Sequence, residues 1–327
     1  MEREAARRSR RFLFRGVSYR YMTWDAPSIP GELAAPVVLV HGFSQSSATW
    51  EGIAPRLAQS RVVHAFELVG HGGSDLPEEA AASGLEVQAD ALSAFLVHVS
   101  AEASASVPSL CGGAEGAGRS ETDGPHQECD LKPLVVGYSM GGRVALAAVC
   151  HDPRPFGALV LEAAGLGPTN PAERSAAADR DLRNAARLRA EGIEAFMDYW
   201  EELPLFATQH ALPDAVRARI RAARLSNETE ALARSFEHAG QHAMPSRSSV
   251  LEALEKSGLP VLYLVGELDR KYRLLSEEVA ALPGAEAYVV SGAGHDTHLE
   301  NPSAFVRCLT DFLEAVSPSS CSVREVR

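Results

Sequence analysis

The chain has 327 residues, 46% hydrophobic and 23% charged, enough apolar side chain for one large α/β domain or two small ones. Its net charge of −12 argues against nucleic acid as a partner, since phosphate binding needs a basic face, but a locally basic pocket can still take a small anionic substrate. No apolar run reaches the ~18 residues that span a bilayer, so no membrane association is expected.

The arginine-rich start, Met1 to Arg11, has no hydrophobic stretch behind it, so it is no secretory signal and reads as a solvated tail. Phe12 to Trp24 alternates like a strand or hairpin. Pro36 to Val40 is wholly apolar, the pattern of a strand buried on both faces. Arg61 to Leu68 is a further strand and Leu85 to Val99 a helix. Ala101 to Leu131 is rich in Ala, Ser, Gly and acidic residues, buries little surface, and reads as a disordered insert. Val135-Val136, Ala158 to Leu161, Val261 to Val265 and Ala287 to Val290 complete the strands. Strands alternating with helices mean an α/β fold with a mostly parallel, doubly wound sheet.

From Leu166 to about Ser249 the strand signal stops. Helical patterns cover Arg174 to Glu191, Ile193 to Glu202, Pro213 to Leu225 and Glu228 to Gln241. A helical block between two core strands is most simply a cap. The expected organisation is a core in two parts, 1–165 and 250–327, with a cap over 166–249. The five cysteines, Cys111, Cys129, Cys150, Cys308 and Cys321, are odd in number and form no CxxC, so no disulfide framework or zinc site is indicated and a reducing cytoplasm is the default.

The chemistry centres on Gly137-Tyr138-Ser139-Met140-Gly141, between an apolar run and a helix-like run. Strand, sharp turn and helix with serine at the apex lift its hydroxyl above the sheet edge. A serine needs a base, and the base needs an orienter, in the chain order Ser, Asp or Glu, His. Asp269 and His295 each follow a strand and a short turn, where open α/β sheets gather ligands. Glu267 is the poorer orienter, and His298 reads as a supporting group rather than the base. The Met140 N–H and the Phe43 N–H, after the Val37 to Val40 strand, are the expected oxyanion donors. His41 is read as a buried loop organiser and His71-Gly72 as a structural turn. No phosphate loop or metal-ligand cluster is evident, so no cofactor is expected. His238 and His242 have helical spacing but no third ligand.

Seven stretches carry a closer resemblance: HGFSQSSATW from His41, ELVGHGGSD from Glu67, VGYSMGGRVAL from Val136, DLRNAARLRAEGIEAFMDYWEELPLF from Asp181, RLSN from Arg224, VGELDRKY from Val265 and GAGHDTHLENP from Gly292. With these the chain resembles the 2-succinyl-6-hydroxy-2,4-cyclohexadiene-1-carboxylate synthase family of the menaquinone pathway, within the α/β-hydrolase superfamily. The resemblance implies a lyase that eliminates pyruvate from 2-succinyl-5-enolpyruvyl-6-hydroxy-3-cyclohexene-1-carboxylate, with Ser139, Asp269 and His295 as a base assembly. It implies substrate binding by Tyr138, Arg143, Trp200 and Arg224. Arginines suit a substrate with three carboxylates, because the guanidinium fork pairs bidentately and stays charged. A further substrate-binding arginine of the family falls here on Ala177; Arg174 and Arg180 lie one helical turn to either side. The family's Asp-Leu-Pro-Gly-His-Gly is Glu67-Leu68-Val69-Gly70-His71-Gly72, a change expected to be structural. The runner-up reading is a serine hydrolase of esters or C–C bonds using the same triad. A binding protein on the same scaffold is a third, and the oligomeric state is open.

Overall fold

The computed structural model describes residues 6–27, 34–105 and 131–316. The expected insert lies mostly outside this range, as do Cys111, Cys129 and Cys321. Within it the elements run β1 (Arg7–Phe14), β2 (Val17–Trp24), β3 (Val37–Val40), α1 (Ala54–Leu57), β4 (Val63–Phe66), α2 (Leu85–Ala105), β5 (Leu134–Tyr138), α3 (Met140–His151) and β6 (Ala158–Glu162). They continue with α4 (Pro171–Glu201), α5 (Asp214–Leu225), α6 (Thr229–Ala239), α7 (Arg247–Ser257), β7 (Val261–Gly266), α8 (Arg270–Ala280), β8 (Ala285–Val290), α9 (Thr297–Glu300) and α10 (Pro302–Val316). The eight strands form one sheet in the order β1-β2-β4-β3-β5-β6-β7-β8, antiparallel from β1 to β4 and parallel from β4 onward.

The apolar runs sit where two-faced burial demands them. Val38, Val40, Val135, Leu159 and Leu161 face a core shared with α2 and α3, while Val37, Leu39, Val136 and Val160 face one closed by Trp50, Phe305 and Leu309. Both faces are dry, so Leu39→Ala should cost about 2–5 kcal/mol. β8, at the far edge, exposes Tyr288 and Val289.

Three sequence expectations need correction. The arginine-rich start is no free tail from Arg7 onward; it is edge strand β1. An edge strand faces water, so its arginines stay charged and pair with Glu51, Asp25, Glu102 and Asp75. The hairpin turn puts Arg15 and Gly16 at φ 46° and 82°, both left-handed as a tight two-residue hairpin requires. Helix α2 continues to Ala105, through the first residues of the expected insert. Helix α7 crosses the expected boundary at 249 and packs on α3, so it belongs with the core layer.

Between β6 and α7 the chain is helical. α4 breaks at Gly192 (φ 79°, ψ 170°), separating the two helical patterns seen in sequence. A 3-10 turn at Pro204–Ala211 has no sequence counterpart in those patterns. α4 and α6 bury a small core of their own, Ala185, Leu188, Phe196, Met197, Leu232, Ala233 and Phe236. Phe43 and Trp200 pack against it and join it to the sheet edge. Among the described residues no helix is long and apolar enough to cross a membrane.

Candidate active site

Ser139 stands between β5 and α3 at φ 47°, ψ −101°, a conformation costly for a residue with a Cβ. Packing enforces it. A Cβ on Gly137 would lie 2.6 Å from the Gly142 Cα, and one on Gly141 or Gly142 would collide with the Val40 carbonyl or the Ala164 side chain. The Ser139 N–H donates to the Glu162 carbonyl at 2.9 Å, tying the turn to β6. Ser139 remains partly exposed.

The structure brings Ser139, His295 and Asp269 together. His295 Nδ1 lies 2.8 Å from Asp269 Oδ2, and Nε2 lies 3.2 Å from Ser139 Oγ. A carboxylate only accepts, so Nδ1–H donates to Asp269 and Nε2 is left to accept from the serine hydroxyl. Asp269 is also the N-cap of α8, where its Oδ1 accepts from the Tyr272 N–H at 3.2 Å. Capping and orienting fall to the two oxygens of one carboxylate. Asp269 and His295 are buried beneath Tyr138, Phe206 and Tyr272, whose rings surround the imidazole.

Met140 is the first residue of α3, where a backbone N–H has no intrahelical acceptor. Phe43 lies on the loop after β3, and its N–H has no acceptor among the described residues. A Cβ on Gly42 would lie 2.6 Å from the Tyr138 ring, so glycine lets this loop settle against the elbow. His41 holds the loop: its Nε2 accepts from the Leu68 N–H at 3.0 Å and its Nδ1–H donates to the Gly42 carbonyl at 2.8 Å. Burial lowers its pKa and keeps it neutral. His71 is likewise buried, pushed down to about 3 by burial first and by His41 second. Glu67 is structural. It forms a fork with Arg20 (2.6 and 2.7 Å) and accepts from Ser47 and from the Gly73 N–H. Burial works against its charge, but these donors outweigh it and hold its pKa below the usual range.

On the cap side the expected binding residues separate. Arg224 is 3% exposed, its Nη2 donates to Gln209 at 3.0 Å, Glu201 lies 3.0 Å from Nη1, and the guanidinium sits 4.9 Å above the Phe206 ring. Its Nε, with Gln209 Nε2, Asn227 Oδ1 and Ser44 Oγ, is buried without a partner among the described residues. Arg143 donates to the Ala239 carbonyl at 2.7 Å. Burial lowers its pKa, Tyr272 and Asp181 oppose that, and Arg180 adds to it. Trp200 is wedged among Phe43, Phe196, Phe206 and Phe236. Tyr138 is buried between His295 and His298, and burial raises its pKa. Ala177 is buried. Arg174 is spent on the carbonyls of His242 and Met244, beside a cleft of about 550 Å³ at the start of α4 that does not touch the triad. Arg180 pairs with Asp181 at 2.9 Å. His242 Nδ1 faces Asp181 and Nε2 faces the Glu237 carbonyl, so its ring is already engaged.

Sequence reasoning missed Glu162, Asp296, Phe206 and Gln209. Glu162 was detectable: a carboxylate closing a wholly apolar strand needs a buried partner. With Asp296 and His298 it places three ligand-type atoms within 4.8 Å of one another, all buried. His298 Nδ1 lies 2.8 Å from Glu162 Oε2 and 3.0 Å from Asp296 Oδ1, so a proton donor already faces the carboxylates. The distance to Asp296 is short, but its Oδ1 lies off hydrogen-bond geometry and is otherwise unpartnered. The bond goes to Glu162.

Comparison with known proteins bears on this site. A profile described as "Alpha/beta hydrolase family" matches residues 37–307. A Bacillus subtilis protein, provisionally named as a 2-succinyl-6-hydroxy-2,4-cyclohexadiene-1-carboxylate synthase, is 31% identical over 281 residues, 86% of this chain and 90% of that one. A Salmonella agona protein named as the same synthase is 30% identical over 294 residues, 89% of this chain and 99% of that one. Among solved structures, MenH from S. aureus superposes with a TM-score of 0.76 at 25% identity, covering 90% of this chain and 98% of the other.

Proposed function

The chain belongs to the α/β hydrolase family, in its 2-succinyl-6-hydroxy-2,4-cyclohexadiene-1-carboxylate synthase-like branch, and from that premise we propose that it is a pyruvate-eliminating lyase. Its substrate is 2-succinyl-5-enolpyruvyl-6-hydroxy-3-cyclohexene-1-carboxylate, and its product is the cyclohexadiene that names the branch. The observation that carries the reading is the unbroken hydrogen-bond chain Asp269–His295–Ser139 at a strained serine, under a cap that presents buried arginine.

In this reading Ser139 and His295 act together as the base. The serine hydroxyl passes its proton to His295 Nε2 as the oxygen takes a ring proton, and Asp269 stabilises the imidazolium. The C–H electron pair forms a double bond between ring carbons 2 and 3, the electrons of the existing 3,4 double bond move to 4,5 and expel the enolpyruvyl oxygen, and the departing enolate takes up the proton held on His295 to become pyruvate. The N–H groups of Met140 and Phe43 stabilise the charge that develops on oxygen. Arg224 keeps Nε–H for a substrate carboxylate, and Arg143 keeps donors beyond the one given to Ala239. Arg180, whose half-exposed side chain is held among the described residues only by Asp181, is the better substitute for the arginine that Ala177 lacks, because Arg174 is tied to the carbonyls of His242 and Met244.

The test is pyruvate release from the enolpyruvyl substrate. Catalysed, first-order pyruvate formation that is lost in S139A supports the reading; pyruvate at the uncatalysed rate overturns it. The same strained serine suits acyl transfer, so a burst from an activated ester that outruns pyruvate release would assign the site to a serine hydrolase instead.

A further inference from the structure

Behind the triad lies a buried charged cluster that the proposed chemistry does not use. Glu162 ends β6 and is bonded to Ser139 and to the two residues that open α9 beside His295. Its backbone carbonyl accepts from the Ser139 N–H at 2.9 Å. Its side chain accepts from Thr297 Oγ1 at 2.6 Å, from the His298 N–H at 2.9 Å and from His298 Nδ1 at 2.8 Å. Thr297 and His298 open α9, just after His295 and Asp296. Asp296 accepts from Gln45 Nε2 at 2.9 Å, and Gln45 Oε1 accepts from the Gly42 N–H at 3.3 Å, on the loop that carries Phe43. Thr49 meets His298 Nε2 at 2.7 Å and Trp50 stacks on the imidazole at 4.2 Å. Glu162, Asp296, Thr297 and His298 are each at most 1% exposed.

We propose that Glu162 and His298 are positioning residues that lock three loops together: the elbow of Ser139, the turn of His295 and the loop of Phe43. The inference rests on Ser139 and His295 being the reacting pair. Ser139 is held at a left-handed φ, and His295 reaches it across 3.2 Å from a separate loop. One residue is bonded to both loops, by its backbone carbonyl to the Ser139 N–H and by its carboxylate to Thr297 and His298 beside His295. Burying a carboxylate pair is costly without a cation. Burial disfavours charge on His298, but Asp296 and Glu162 outweigh it and raise its pKa, while burial raises the pKa of Asp296, so the His298 ring is the donor that faces both carboxylates. The cluster thus pairs Glu162 with His298 while joining the loops, and leaves Asp296 Oδ1 without a hydrogen-bond partner among the described residues.

The test uses the full-length protein with two readouts, steady-state pyruvate release and the rate at which a fluorophosphonate labels Ser139. Labelling needs an activated serine but not the native substrate, so it reports on alignment even where the lyase reading fails. E162Q keeps the shape and removes the charge. A misplacement near 1 Å is enough for a loss of about 100-fold. E162Q should lower kcat and the labelling rate together by about 10- to 100-fold while KM moves less than about twofold, because the cap arginines are untouched. T297V removes one bond to Glu162 and should lower both rates about fivefold, which keeps the proposal testable should E162Q not fold. Lower thermal stability with unchanged kcat and labelling in T297V or a folded E162Q would overturn it. So would a rise in KM alone, or a stoichiometric metal ion in the purified protein whose removal reproduces the E162Q loss.

Discussion

The sheet edge and the cap handle buried polar groups in opposite ways. Below, Ser139, His295, Asp269, Glu162 and His298 form a run of bonded donors and acceptors. There Asp296 Oδ1 alone of the cluster lacks a hydrogen-bond partner among the described residues; above, Arg224 Nε, Gln209 Nε2 and Asn227 Oδ1 are all buried without one among those residues. An unmade buried hydrogen bond costs about 1–3 kcal/mol, so a cluster of them marks a surface shaped for a ligand. Under the proposed function the edge is the seat of chemistry and the cap seam that of recognition. Variants on the two sides should therefore fail in different kinetic parameters.

The sharpest break is S139A, which removes the reacting oxygen. Pyruvate release should fall in kcat by about 10³- to 10⁶-fold with the fold intact by circular dichroism. Asp269 comes next, and its two roles separate. D269N keeps a cap-competent side chain but loses the charge that fixes the His295 tautomer, so kcat should fall about 10²- to 10⁴-fold with an unchanged melting temperature. D269A should add a stability loss of about 1 kcal/mol from the missing cap, measured by denaturant unfolding. On the cap side R224M should raise KM about 10- to 100-fold with a smaller change in kcat, the loss expected for a hydrogen bond to a charged group. Added salt should raise the wild-type KM and narrow the difference from R224M. A kcat effect in R224M as large as that in D269N would erase the contrast between the two regions.

The smallest expected effect is on pH and stability. The pKa of His298 in the folded chain sits above its ordinary 6.5 because Asp296 and Glu162 outweigh burial. The stabilisation is complete below the unfolded value and is lost as pH rises through the folded one. The melting temperature should decline on the alkaline side of about 6.5, and the decline should be shallower in H298Q. Glu67 works with the opposite sign. Its folded pKa is depressed, so its contribution is present above about 4.5 and disappears as pH falls through the folded value.

Much of this was readable from residue order. The wholly apolar runs at Val37 to Val40 and Val261 to Val265 have to be central parallel strands, since only burial on both faces tolerates them. The glycines around Ser139 announce a turn too tight for a Cβ, and a helical block between β6 and β7 has to sit over the sheet edge. The positions of Asp269 and His295 beyond strand ends make them partners for Ser139 by elimination. Local pattern misled at Arg7 to Arg11, where charge spoke for a tail while hairpin pairing made an edge strand.

What tertiary structure alone decided is pairing across long sequence separations. What occupies Arg180 and Arg174 depends on which carbonyls and carboxylates the cap brings near, and helical spacing treats the two alike. That Glu162 binds the turn of His295, and that Gln45 ties Asp296 to the loop of Phe43, follows only when separate strands end at one edge. Periodicity and turn chemistry are local and fix elements; a hydrogen bond between distant loops is set by how those elements stack, which no local pattern encodes.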